Sequence, residues 1–496
     1  MKKENWTSKA GVILAVAGSA VGLGNFLRFP QQAAQNGGGA FMIPYFIALL
    51  LLGIPLMWVE WSFGRMGAEH DQHTLPEIFQ SLLKKPFYKY LGVLGLFIPY
   101  VIFVYYTYIE SWCLGYAVFS ASGKYFTVPQ SQIGNFFGNY LGIQGGEWFS
   151  GFFVAITFFL ITMALNLYFL YGGITGGIEK LCNFAMPVLF VLGFVMMFKI
   201  FSLPNISLGM GFLWNPRFEV LSNPKVWLAA AGQIFFTLSV GSGIIQTYAS
   251  YLKKNDDIAL SGLTSSFLNE FAEVIMGGTI AIPAAVVFFG AAMTAEIAQK
   301  GTVSLGFNTL PLIFQQFGYG WCKFFGFIWF VLLFLAAITS SVSLAQPMFA
   351  FIQKRLNLSK GKAVAVFGLS SIVYCLPVIL WFDKGFMDEM DFWGGTFLLV
   401  VLAFIELIIY GWVIGGQKGF DEINRAGKIR VPKIYRYIIQ YIAPVYIGAI
   451  LLSFIFINLP DVLKASSPHI LLSRGIMVVL FCLMCLLVKY TVKEDE

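Results

Sequence analysis

Charge is what this chain has least of. Asp, Glu, Lys and Arg together make up 11% of its 496 residues, against about 25% in soluble domains. A water-soluble globular fold is thereby excluded. Histidine is nearly absent: His70, His73 and His469 lie in loops or at the ends of apolar runs, so no zinc-type cluster can be drawn. There is no Ser-His-Asp set and no phosphate-binding glycine loop, and neither an enzyme nor an organic cofactor is expected. The six cysteines sit in or at the ends of apolar runs and imply no disulfide framework. Cys482 and Cys485 form a C-x-x-C inside a lipid-type helix with no nearby His, and read as small apolar side chains. The net charge of +7 needs no nucleic acid, because most Lys and Arg fall in alternate loops, as in membrane proteins.

What the chain has is hydrophobic length. It is 58% hydrophobic with a mean hydropathy of +0.75, and runs of about 20 apolar residues recur, each able to cross a bilayer as a helix. Twelve spans are expected, at roughly 9–35 (α1), 39–67 (α2), 88–120 (α3), 148–171 (α4), 178–200 (α5), 225–251 (α6), 259–290 (α7), 320–353 (α8), 361–381 (α9), 391–414 (α10), 437–458 (α11) and 471–490 (α12). A short surface helix is expected within 75–84, and outer loops at 121–147, 202–224 and 291–318. The opening MKKENWTSK reads as a retained cytoplasmic tail rather than a signal peptide. Basic residues cluster in the 353–362 and 415–436 loops; with an even number of spans, both termini are expected in the cytoplasm of a multi-pass inner-membrane protein.

Two of these spans are interrupted. In GSAVGLGNFLRFP, residues 18–30, Gly18, Gly22, Gly24 and Ser19 break an apolar run, and Asn25, Arg28 and Pro30 follow. In α6, Ser239, Gly241, Ser242 and Gly243 do the same. Each glycine weakens a helix by roughly 1 kcal/mol relative to alanine, and in lipid the freed peptide groups must find other partners. Close helix packing explains such glycines equally well. A pair of interrupted spans at matching places in two halves, however, points to a transporter's midplane site. The expected divisions are a tail (1–8), a first half (9–201, α1–α5), an outer loop (202–224), a second half (225–414, α6–α10), and a remainder (415–496) with an inner loop, α11, α12 and a cytoplasmic tail. Five spans per half is odd, so the halves would be inverted.

Neutral oxygen donors lie in the apolar helices: Asn25, Thr237, Asn269, Thr339 and Ser340. Such oxygens, with freed carbonyls, suit a hard monovalent cation. Each alone reads more readily as a helix–helix hydrogen bond than as a ligand; together, in or beside both breaks, they suggest a joint cation site. Glu60, Glu110 and Glu273 are intramembrane carboxylates with either structural or ion-linked roles.

The motifs AVGLGNFLRFP (20–30), NGGGAFMIPY (36–45), GIPLMWVEW (53–61), YIESW (108–112), GQIFFTLSVG (232–241), YASY (248–251), LSGLTSSFLNEFAEV (260–274) and DEMDFW (388–393) occur in the order found in the neurotransmitter:sodium symporters. The chain resembles that family over nearly its whole length, and its bacterial leucine-transporter-like members in particular. The resemblance implies an all-α polytopic membrane protein of twelve transmembrane helices, the LeuT fold, with a 5+5 inverted repeat and broken helices 1 and 6. It implies two sodium ions and an amino acid substrate; a homodimer stays open. Sodium site 1 would use the Ala20 carbonyl, Asn25, Thr237, Asn269 and the substrate carboxylate. Site 2 would use the Gly18, Val21 and Ala336 carbonyls with Thr339 and Ser340. The substrate carboxylate would meet the N–H groups of Leu23 and Gly24 and the Tyr106 hydroxyl. Its ammonium would meet carbonyls near Ala20, Phe236 and Thr237 and the Ser239 hydroxyl. Ser19, Ile102, Phe236, Ser239, Ser242, Ser340 and Leu344 would line the side-chain pocket. Arg28 and Asp391 would form an outer gate with Phe236 as its lid, and Glu273, where chloride-dependent relatives have serine, would stand in for chloride.

The chain departs from the pattern in places. Ser242 and Ser19 replace a phenylalanine and an asparagine of the leucine-carrying members, which is expected to enlarge the pocket, make it more polar and admit bulkier side chains, aromatic ones included. Lys3 and Lys354 replace an Arg–Asp inner-gate pair, so inner closure must rest elsewhere, on Trp6 or on Ser250 and Tyr251. The rival readings are an amino-acid-binding sensor without transport and a sodium symporter for another small solute. Gly22, where amine carriers have an aspartate, disfavours an amine.

Overall fold

The structure, a computed structural model, describes residues 5–83, 85–146, 148–149 and 151–492. Its regular structure is helical throughout, with no strand among the described residues. Among those residues nine helices are long and apolar enough to cross a membrane, and a tenth span forms if the bent pair Lys9–Ala20 and Gly24–Gln35, which meet at 47°, is counted as one. That pair is α1. The others are α2 (Gly38–Glu69), α3 (Tyr88–Ser122), the 49-residue stretch Phe153–Phe201, α7 (Ile258–Gln299), α8 (Tyr319–Arg355), α9 (Lys360–Leu380), α10 (Phe386–Asn424), α11 (Ile434–Lys464) and α12 (Pro468–Thr491). The 49-residue stretch doubles back at Gly173, whose φ of +72° is open to glycine without strain, giving α4 (Phe153–Gly173) and α5 (Lys180–Phe201). α6 is in two pieces, Pro224–Thr237 and Ile244–Ala249, each too short to span alone. The doubled stretch and the two broken helices are what twelve crossings require.

Three outer and inner segments differ from the sequence expectation. The 202–224 loop carries the helix Ile206–Trp214. α7 breaks at Gly290 (φ +77°), where the sequence ends it, but the outer segment that follows is not a plain loop: it carries a second helical piece to Gln299 and the helix Leu310–Gln315. The short helix Leu75–Leu82 exists, but Leu75, Ile78 and Phe79 are buried, so it is a packed element rather than a surface one. The reason is spacing: i, i+3 and i+4 apolar residues form one stripe that must be covered. Thr74 and Glu77 close its N-terminus as a capping box.

Burial orders the helices. The most apolar window of α3 is 94% buried and that of α8 78%, whereas those of α11 and α12 are 28% and 22% buried. α3 and α8 therefore form the centre, and α11 and α12 the rim. The rim helices and α4–α5 carry exposed Phe198, Tyr168, Val445 and Phe456, a surface that lipid rather than water satisfies.

Candidate functional site

The site is built where α1 and α6 come apart. The first half of α1 starts at Ser8, whose hydroxyl accepts the Gly11 N–H at 2.9 Å, and ends at Ala20; Val21 is already extended (φ −73°, ψ 93°). The second half resumes with a π turn, Gly24–Arg28, that runs without a gap into Phe29–Gln35; Pro30 lacks the N–H that would continue the ladder there. In α6 the break holds Ser239 (φ +55°), Gly241 (φ +72°) and Gly243 (φ +85°). At Gly241 a side chain is excluded, since a Cβ would lie 2.3 Å from the Leu399 carbonyl of α10.

Side chains from other helices take up part of the freed backbone. Ser340 of α8 donates to the carbonyls of Gly18 (3.2 Å), Ser19 (3.0 Å) and Val21 (3.4 Å). Thr339 donates to the Ala336 carbonyl at 3.1 Å, and its Cβ is 3.3 Å from where a Gly18 Cβ would stand. The oxygens expected for sodium site 2 are thus brought together. One hydroxyl proton cannot serve three carbonyls at once, and a cation among them would serve all. Ser239 donates to the Ser19 carbonyl at 3.2 Å, tying the two breaks to each other.

The oxygens expected for sodium site 1 also converge. Asn25 Nδ2 donates to Asn269 Oδ1 at 2.8 Å, and Asn25 Oδ1 accepts the Gly22 N–H at 2.8 Å. The Asn269 amide lies 3.2 Å from the Ala20 carbonyl and 3.3 Å from the Thr237 carbonyl, so that its nitrogen can donate to both while its oxygen accepts from Thr237 Oγ1 at 3.0 Å. Thr237 and Asn269 are 1% and 0% exposed. Behind this group lies Glu273, whose carboxylate accepts from Tyr45 Oη (2.9 Å), Gln233 Nε2 (2.9 Å) and the Thr237 hydroxyl.

Beside both groups is a cavity of about 50 Å³ lined by Ser19, Ala20, Gly22, Gly24, Ile102, Tyr106, Phe236, Ser239, Ser242, Ser340 and Leu344, with Ile244 and Leu399. Of the residues expected around the substrate, Leu23 and Thr237 are not in its wall. Leu23 donates its N–H to Tyr106 Oη at 3.0 Å, and Thr237 belongs to the sodium-site-1 group. The Ser242 hydroxyl donates to the Ser239 carbonyl at 2.5 Å, so it adds space to the cavity more than polarity. Above lies a vestibule of about 450 Å³ whose wall includes Arg28, Tyr105, Phe236, Lys300, Asp383, Asp388 and Asp391. Phe236 belongs to both walls and divides one space from the other. Arg28 and Asp391 face the same vestibule without pairing. The Arg28 guanidinium lies 4.1 Å over the Phe236 ring, and Asp391 accepts from Tyr105 Oη at 2.6 Å. The outer path is therefore open down to the Phe236 ring.

The opposite face is closed. Trp6 donates its indole N–H to the Tyr248 carbonyl (2.9 Å) and meets the Tyr248 ring edge-on at 5.4 Å. Thr7 bonds through both its N–H and its hydroxyl to Glu179 at the start of α5. His73 stacks on Tyr251 (4.4 Å between ring centres) and bonds Ser250 Oγ at 3.0 Å. Lys354 finds Glu77 of the short helix at 3.6 Å. Lys3 lies outside the described residues.

Sequence reasoning missed Tyr45 and Gln233 beside Glu273, Leu399 and Ile244 in the cavity wall, and Glu77 and Glu406. Glu110 is held by Asn166 Nδ2 at 3.2–3.3 Å, and Glu60 accepts the Gly241 N–H at 2.5 Å.

The model of the sodium:neurotransmitter symporter family matches residues 3–137 and 136–494. A sodium-dependent transporter of Methanocaldococcus jannaschii is 30% identical over 94% of this chain and 92% of its own length. The sodium-dependent transporter YhdH of Bacillus subtilis is 30% identical over 92% of this chain and 98% of its own. The crystal structure of MhsT in complex with L-phenylalanine superposes with a TM-score of 0.78 at 28% identity, covering 91% of this chain and 99% of that one.

Proposed function

The chain belongs to the sodium:neurotransmitter symporter family, and from that premise we propose that it imports an amino acid with a hydrophobic or aromatic side chain in symport with sodium. It is a sodium-dependent transporter and a multi-pass membrane protein, not an enzyme. The finer reading assigns two sodium ions: one to Ala20, Asn25, Thr237 and Asn269, the other to Gly18, Val21, Ala336, Thr339 and Ser340. The amino acid takes the cavity between them. Its carboxylate meets the Leu23 and Gly24 amides and Tyr106, and completes the first sodium shell, so each guest raises the other's affinity by the same factor. The relative caught with L-phenylalanine supports this substrate class.

The observation that carries the reading is the convergence of backbone oxygens from both breaks on Ser340 and Asn269, beside one cavity under Phe236. Alternating access follows from the asymmetry of the two faces. The halves 9–201 and 225–414 would rock about the midplane; Arg28, Asp391 and Phe236 would close the outer path as Trp6, Thr7 and His73 release the inner one. Glu273 supplies a fixed negative charge beside the first sodium, so transport needs no chloride. Both termini face the cytoplasm of the inner membrane.

Purified protein reconstituted in vesicles tests this. An inward sodium gradient should drive accumulation of one or more hydrophobic or aromatic amino acids when all twenty are screened. Accumulation that persists without any sodium gradient would overturn the coupling.

A further inference from the structure

Two carboxyl groups meet inside this bundle, away from both sodium groups. Glu60 of α2 and Glu406 of α10 are each 0% exposed. Oε1 of Glu60 accepts the Gly241 N–H from the break in α6 (2.5 Å), and Oε1 of Glu406 accepts Gln246 Nε2 from the second piece of α6 (2.6 Å). The Oε2 atoms of both have no hydrogen-bond partner among the described residues, and the two carboxyl groups are near enough to act on each other. The groups facing the pair are the Gly241 amide and the Gln246 carboxamide, both from α6, and among the described residues no other titratable or charged side chain acts on either carboxyl.

Two ionised carboxylates in contact at membrane depth repel each other, and neither orphaned oxygen can donate. One proton converts that clash into a donor–acceptor bond. We propose that Glu60 and Glu406 form a proton-binding site, in which a single proton shared between the two carboxyl groups locks the break of α6 between α2 and α10. The site is distinct from Glu273, and its ligand is a proton rather than sodium or chloride.

The lock bears on the substrate cavity because it fixes the backbone that forms it. Gly241 sits between Ser239 and Ser242 of the cavity wall, and its position against the Leu399 carbonyl leaves no room for a Cβ. When the proton leaves, the pair separates, Gly241 loses its carboxylate, and the wall loosens. Substrate binding and proton binding therefore favour each other. Above the apparent pKa of the pair, affinity should fall about tenfold per pH unit, the slope for one linked proton.

The test uses the full chain in lipid nanodiscs and two readouts. The first is an infrared titration of protonated carboxyl groups, which needs no substrate and so stands or falls apart from the transport reading. Glu60→Gln and Glu406→Gln should each remove one protonated carboxyl, because the new amide donates to the remaining carboxylate. The double variant should also remove only one. Loss of two in the double variant would mean two independent acids. No loss in any variant would mean that the pair is ionised or holds a metal cation. Either result overturns the proposal. The second readout is L-phenylalanine binding at saturating sodium from neutral to alkaline pH. The unmodified protein should lose affinity with the slope above, and Glu406→Gln should be flat over the same range. Parallel curves for the two would overturn it.

Discussion

Trp6→Ala should open the inner face. Trp6 is 7% exposed although it lies before the first helix. It loses an indole hydrogen bond to the Tyr248 carbonyl and an edge-on ring contact at 5.4 Å. Removing a buried Trp costs about 3–5 kcal/mol in a core. A tethered segment near a chain end stays partly covered when released, so about 3 kcal/mol is the better figure here. At 1.4 kcal/mol per tenfold, the closed-to-open ratio of the inner path should fall roughly a hundredfold. Thr7 and its two bonds to Glu179 remain as a partial latch. The assay is the rate at which a membrane-permeant thiol reagent labels Cys introduced at Ser250, which is 2% exposed. The exposed Cys482 and half-buried Cys485 are replaced by Ser in both proteins. Labelling should speed up by one to two orders of magnitude, and sodium should slow it again by favouring the outward state. A change of less than about threefold would refute the view that Trp6 holds the inner path shut.

Ser340→Ala removes the hydroxyl that meets three α1 carbonyls; half-saturating sodium for uptake should rise about tenfold, the worth of one such contact, as read from uptake against sodium concentration. Ser242→Phe fills the cavity beside Ile244 and Leu399 and should shift preference toward smaller amino acids in a competition assay; an unchanged profile would remove Ser242 from the pocket. Replacing external and internal chloride by gluconate should leave uptake unaltered if Glu273 fills the anion's role proposed for it; collapse of uptake would contradict that role. Gly241→Ala places a Cβ 2.3 Å from a backbone oxygen at a φ of +72°; it should abolish L-phenylalanine binding while α-helical circular dichroism is retained, and undiminished binding would show that the break tolerates movement.

The breaks in α1 and α6 were legible because glycine and serine interrupt apolar runs, and a lipid-spanning helix has few other reasons to carry them. Asn25, Asn269 and Thr339 were legible for the same reason, as polar atoms without water. Partners that lie on separate helices were not. Tyr45, Gln233 and Glu406 each stand alone in their segments, and no spacing in one helix says which residue of another will meet them. Glu406 is the clearest case: α10 reads as a lipid helix with one acid in its interior, and its meaning appears only when Glu60 arrives from α2. The inner face was half legible. Two lysines exclude the expected ion pair, but Lys354 reaches Glu77 only because Leu75, Ile78 and Phe79 draw the short helix into the core. Arg28 and Asp391 could be placed at one mouth, yet whether they touch depends on the conformational state rather than on residue identity.

The account rests on sodium and an amino acid being held together by the backbone freed at the two breaks. Equilibrium binding in both directions addresses it most directly: L-phenylalanine affinity measured against sodium concentration, and radioactive sodium affinity measured against L-phenylalanine. The account predicts that each ligand tightens the other by the same factor, and that Asn269→Ala, which removes the amide between the Ala20 and Thr237 carbonyls, erases that coupling. Amino acid binding that is equally tight with and without sodium would contradict it.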